Sequence, residues 1–80
     1  MIYTTFNIQG LTGAIKRRAL RKFISTSETQ VLLLHETMIS TSDAIAIFLQ
    51  IIPHWRVSAI DAQGLSGGIL TAWNPVFGDF

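Results

Sequence analysis

Cysteine is absent from the eighty residues, so no disulfide can staple the chain, and two histidines cannot by themselves complete a structural zinc site. The same absence excludes a cysteine nucleophile and is compatible with an intracellular location. Charge is scarce: 14% of residues are Asp, Glu, Lys or Arg, and the net charge is +1. No apolar run reaches the ~18 residues expected of a membrane span. The densest, Ala44 to Ile52, contains Gln50. Met1 is followed by Ile-Tyr-Thr-Thr in place of a basic segment and an apolar stretch, so no secretory signal is expected. Internal repeats, low-complexity tracts and linker-like stretches are also lacking. Length excludes a second domain, since domains typically run to ~100–200 residues.

What the chain does have is apolar side chains, at 49% of residues. That excludes disorder and exceeds what a lone small domain easily hides, so part of the apolar surface is expected to want a partner. A chain of this size buries apolar surface on folding equivalent to on the order of 120 kcal/mol. Ordering it at ~1.5 kcal/mol per residue costs about as much, so the fold is marginal. The positive charge is concentrated: five of the six basic residues are Lys16, Arg17, Arg18, Arg21 and Lys22, while the acids stand singly from Glu28 to Asp79. Such a cluster either touches phosphate or forms the solvated face of a helix.

Ile2 to Ile8 is rich in β-branched and aromatic residues and stops at Gln9-Gly10, which predicts a strand and a turn. From Ala14 the period changes. Ile15, Ala19, Leu20, Phe23 and Ile24 fall at helical spacing opposite the basic cluster, and Ser25-Thr26-Ser27 breaks the pattern. Gln30 to Thr37 opens with Val-Leu-Leu-Leu, the continuous apolar run of a strand covered on both faces. Ser40-Thr41-Ser42-Asp43 offers N-caps for a helix over Ala44 to Ile52 that is apolar nearly all round and is stopped by Pro53. Trp55 to Ile60 and Ile69 to Trp73 predict two more strands joined across Asp61 to Gly68 as a hairpin.

The expected fold class is therefore α/β, a β-α-β-α-β-β mixed sheet over residues 1–80. Strand-helix-strand units give parallel neighbours with right-handed crossovers, both helices lie on one face, and the hairpin extends the sheet antiparallel. Nothing in the chain covers the other face, although the Val31 to Leu34 run requires a cover. The chain is expected to be the first part of a larger layered α/β sandwich.

Asn7 ends the first strand and Glu36 the second, so parallel pairing brings both to one edge of the sheet, where open α/β sheets hold ligands. An amide oxygen beside a carboxylate suits a hard dication such as Mg²⁺. The same pair also suits two polar residues that cap turns at strand ends.

At these residues a family resemblance emerges. Thr5-Phe6-Asn7-Ile8-Gln9-Gly10-Leu11 resembles the opening motif of the endonuclease/exonuclease/phosphatase superfamily, and Leu33-Leu34-His35-Glu36-Thr37 resembles its second, with Lys16-Arg17-Arg18-Ala19-Leu20 between them. Ser66-Gly67-Gly68-Ile69-Leu70 and Trp73-Asn74-Pro75 look like the next segment, most like the endonuclease domains of plant LINE-type (non-LTR) retrotransposons. The resemblance spans nearly the whole chain. It implies a layered sandwich that cleaves phosphodiesters with Mg²⁺ or Mn²⁺, with DNA as substrate class and a nuclear setting. Glu36 would bind the metal and Asn7 would help fix the site. It also implies downstream Asp-His and Asp-Asn pairs that handle the attacking water, and these are not found here. The chain alone is then expected to be an inactive fragment. Two other readings stay open: a non-catalytic module that binds nucleic acid or a partner through residues 16–22, and a phosphatase of the same superfamily.

Phe6 stands where many relatives carry Trp, and His35 where they commonly carry Gln. Successive strand residues point to opposite faces, so His35 is not expected to share a metal with Glu36 unless the strand is distorted. His54 is read as an ordinary surface or core histidine. Gly64, Gly67 and Gly68 lead into a strand with no Lys-Ser/Thr after them and read as a hairpin connection, not a phosphate loop. Trp55 and Trp73 lie in apolar strand patterns and are expected to pack in the core. Gly78-Asp79-Phe80 resembles a later family motif but lies too close to Gly68, so Asp79 is not taken as a site residue.

Overall fold

The structure is a computed structural model that describes residues 2–8, 10–11, 13–60 and 68–78. Its elements are β1 (Tyr3–Asn7), α1 (Ala14–Thr26), β2 (Val31–His35), α2 (Thr41–Ile51), β3 (Arg56–Ile60), β4 (Ile69–Trp73) and a short 3-10 turn, Pro75–Phe77. The α/β class expected from the pattern is the one observed.

Each helix begins and ends for a local reason. In α2, Ser40 holds an extended backbone and its Oγ accepts a hydrogen bond from the Asp43 N–H at 3.2 Å. That satisfies one of the free donors of the first turn, and the Asp43 carboxylate complements the positive end of the helix. Ser40→Ala is expected to cost about 1 kcal/mol, read as a lower urea midpoint with unchanged slope. α1 lacks a side-chain cap at Gly13 and an acid in its first turn. At its other end the Ser25 and Thr26 hydroxyls donate to the Lys22 carbonyl at 2.9 and 2.8 Å, which competes with continued helix.

The sheet order is β1-β2-β4-β3, with β1 and β2 parallel and β4 antiparallel to both its neighbours. β3 therefore runs parallel to β2 with one strand between them. The two crossovers step in the same direction, so right-handedness places both helices on one face. The hairpin does not simply extend the sheet. β3 goes to the edge and β4 fills the gap beside β2, where its apolar residues Leu70 and Ala72 are wholly covered. The edge strands β1 and β3 alternate between exposed and half-buried residues, as suits their position.

The core lies between that face and the helices. Leu32 and Leu34 of β2 and Leu70 and Ala72 of β4 meet Leu20 and Ile24 of α1 and Ala44, Phe48 and Ile51 of α2. Phe6 packs edge-on to Phe23 with centroids 5.0 Å apart, and Phe48 sits 6.3 Å from Trp55. The predicted apolar stripe of α1 is only partly used: Leu20 and Ile24 are buried, but Ile15 is 81% exposed and Ala19 is exposed as well. The all-round apolar α2 buries Ala44, Phe48 and Ile51 and leaves Ile45, Ile47 and Leu49 half-covered.

No element lies on the opposite face among the described residues. Register arranges its side chains in three rows: Tyr3-Val31-Trp73-Arg56, Thr5-Leu33-Thr71-Ser58 and Asn7-His35-Ile69-Ile60. Tyr3, Ile60 and Ile69 are exposed there, and Val31, Leu33 and Trp73 are half-buried. Among the described residues no helix is long and apolar enough to cross a membrane.

Candidate functional site

Parallel pairing of β1 with β2 sets Asn7 opposite His35, one residue before Glu36. The two chains stay zipped beyond the strands. Ile8 N–H donates to the His35 carbonyl at 2.9 Å, Gly10 N–H to that of Glu36 at 2.8 Å, and Leu11 N–H to that of Thr37 at 3.1 Å. Thr37 N–H in turn donates to the Gly68 carbonyl at 3.1 Å, which ties the start of β4 to the same rim. Leu11 and Thr37 are buried beneath it. Gly10 sits at φ 99°, and an added Cβ would meet nothing within 4 Å, so glycine is needed there for its backbone conformation and not for space.

Glu36 and Met38 both adopt left-handed backbone, at φ 59° and 64°. For residues bearing a side chain this costs roughly 1–2 kcal/mol each, and the bonds from Gly10 and Leu11 to Glu36 and Thr37 hold the segment in it. Strain of this kind gathers where a protein positions functional groups. It also changes the relation of His35 to Glu36. β2 ends at His35, so strand alternation does not extend to Glu36, and the reason for separating the two residues no longer applies.

Asn7 is exposed on the open face and His35 is half-buried beside it in the same row. Glu36 follows at the turn and is half-buried. The donor chemistry is one carboxylate, one amide oxygen and one imidazole nearby. Among the described residues no three His, Cys, Asp or Glu side chains come together as a metal-binding group. A site here fits a dication such as Mg²⁺ that takes one or two protein ligands and fills its shell with water and phosphate oxygens.

No family model matches this chain, and no curated protein matches it.

The other sequence candidates separate in space. Lys16, Arg18, Arg21 and Lys22 are exposed on α1 and Arg17 is half-buried. His54 is exposed and lines a cleft with Ile2, Gln30 and Asn74, at the end of the sheet away from the rim. Trp55 is buried in the core as expected, but Trp73 is half-buried on the open face, because its place in β4 has the parity of Thr71 and Ile69. Gly68 is buried at the start of β4, while Gly64, Gly67 and Asp79 lie outside the described residues. Sequence reading weighed His35 only against Glu36 and expected a supporting or packing role for it; its seat beside Asn7 was not foreseen. The signal for it was the strand register, which makes the two histidine-side and asparagine-side strand ends equivalent.

Proposed function

We propose that this chain is the N-terminal part of a divalent-metal-dependent phosphodiesterase domain of the endonuclease/exonuclease/phosphatase type, with DNA as its substrate class. The observation that carries the reading is the parallel β1–β2 register, which brings Asn7 and Glu36, the two positions that match the family motifs, to one rim of the sheet. The strained backbone at Glu36 and the opposite face, on which no element lies among the described residues and where a second layer of a sandwich would pack, support it. The basic helix and the Trp73-Asn74-Pro75 segment favour the nuclease branch over the phosphatase branch, by similarity.

On this reading Glu36 holds Mg²⁺ or Mn²⁺ through its carboxylate, and Asn7 fixes the donors around it. The bound metal would polarise a phosphate oxygen and stabilise the charge on the leaving oxygen. Two protein groups do not activate the attacking water, so the chain alone is expected to leave supercoiled DNA intact.

The reading is tested by Mn²⁺ titration followed by NMR line broadening. Amides of residues 7–10 and 35–38 are expected to broaden first, at metal concentrations near the millimolar range of weak oxygen sites. Glu36→Gln should remove that localised effect while leaving the rest of the spectrum in place. Broadening that is absent from the rim, or that persists there in Glu36→Gln, overturns the proposal.

A further inference from the structure

The basic cluster of α1 divides by position. Arg17, Arg18 and Arg21, together with Ala14, are spaced so that they share one stripe of the helix. That stripe lines a cleft of about 210 Å³ whose other wall is Gln50 and Ile51, in the last turn of α2. Lys22 does not line it, and Lys16 lines a separate groove against β1.

Three guanidinium groups around one cleft repel each other, and the described acids stand in other elements or loops: Glu28, Glu36 and Asp43. No carboxylate pairs with Arg17, Arg18 or Arg21 among the described residues. Moreover the Arg17 Nε–H is shut off from solvent and has no hydrogen-bond partner among them. A buried donor without an acceptor is destabilising, and three unpaired like charges add to the effect. An anion with several acceptor oxygens in the cleft relieves the repulsion, and a phosphate takes the planar fork of arginine bidentately. The cleft is open to solvent, and at about 210 Å³ it has room for a phosphate group.

We infer that this cleft between α1 and α2 binds a phosphate of a nucleic-acid backbone, with Arg17, Arg18 and Arg21 as donors. The choice of a polyanion follows from Lys22: a single small phosphate is satisfied by the cleft alone, whereas a continuing strand also meets Lys22, which stands next to Arg18 at the edge of the same stripe and is exposed. The inference uses neither Asn7 nor Glu36 and does not rest on the metal reading of the rim.

The test is fluorescence anisotropy of a labelled short DNA duplex with the whole chain, at low salt and with chelator present so that the rim plays no part. Arg18→Gln, Arg21→Gln and Lys22→Gln each remove one positive charge from an exposed position. The first two are expected to weaken binding about tenfold, and Lys22→Gln no more than about twofold, because only the former lose forked phosphate contacts. Arg17→Lys keeps the charge but loses the planar guanidinium fork, and is expected to weaken binding by a similar tenfold. Circular dichroism of each variant checks the fold, and the two exposed arginines keep the test decisive if Arg17→Lys does not fold. Equal losses for Arg18→Gln, Arg21→Gln and Lys22→Gln would mean a diffuse charged face with no built site and would overturn the inference. Binding of inorganic phosphate without binding of DNA would overturn its nucleic-acid half.

Discussion

Phe48→Ala is expected to unfold the chain. Phe48 is fully buried at the centre of the core, in α2, against Trp55 and the β2–β4 pair. Removing such a ring costs about 3–5 kcal/mol in lost transfer energy and residual cavity. A domain of this length has on the order of 4–12 kcal/mol in total at ~0.05–0.15 kcal/mol per residue, and no disulfide or structural zinc adds to it. The loss therefore takes a large share of the stability. Urea unfolding followed by circular dichroism should find Phe48→Ala without a cooperative transition, or with a midpoint less than half that of the parent chain. Phe48→Leu, which keeps most of the volume, should fall between the two. Ile15→Ala removes an apolar side chain of similar length from an 81% exposed position of α1 and should shift stability by less than about 0.5 kcal/mol. A cooperative melt for Phe48→Ala within about 1 kcal/mol of the parent would show that the core is not organised around this residue.

The contrast between Phe48 and Ile15 also marks where sequence reasoning stops. The helical period was legible in both helices because 3.6-residue spacing is a local property, and the capping segment Ser40-Thr41-Ser42-Asp43 and the Pro53 stop were legible for the same reason, although which of the four residues caps was not, and α2 begins at Thr41 where Ala44 was expected. Which part of a stripe is buried depends on how far the partner surface extends, and among the described residues α1 packs Phe23 against Phe6 of β1 and sets Leu20 and Ile24 in the core, with Ile15 beyond that surface. The placement of β4 between β2 and β3 was likewise hidden, since it is decided by pairing between strands far apart in the chain. The site was half legible. Residue type and strand ends marked Asn7 and Glu36, but glutamate carries no signal for left-handed backbone, and the cross-strand seat of His35 needs the register. The Arg17 donor could be counted in the sequence as a charge, but not as a buried one, because that depends on the packing of α1 against α2.

The face that the helices leave bare carries the second large effect. Four strands at ~4.8 Å spacing and five residues at ~3.4 Å each give it a projected area on the order of 300 Å², before side-chain relief is counted. Polar Thr5, Thr71, Ser58, Asn7, His35 and Arg56 share that area with the apolar residues, and apolar patches of a few hundred Å² on a protein surface commonly mark interaction sites. Its apolar residues on the two central strands are Val31, Leu33, Trp73 and Ile69, with Tyr3 and Ile60 at the margins, and among the described residues no strand pairs with the outer edge of β1 or β3. The chain is expected to self-associate, visible as light scattering that rises steeply with concentration. Ile60→Lys combined with Ile69→Thr replaces two exposed apolar residues of one row without touching the helix-side core, and should raise the concentration at which scattering begins by about tenfold or more, since the two together are worth about 1.4 kcal/mol or more of apolar burial. Ile15→Lys, on α1 and away from this face, supplies the same new charge and should leave the onset unchanged. If the two kinds of variant behave alike, association is governed by net charge and solubility, and the bare sheet face is not its cause. If the parent chain stays monomeric at every concentration, the half-buried residues of that face are covered well enough by their own neighbours, and the argument for a second layer loses its physical basis.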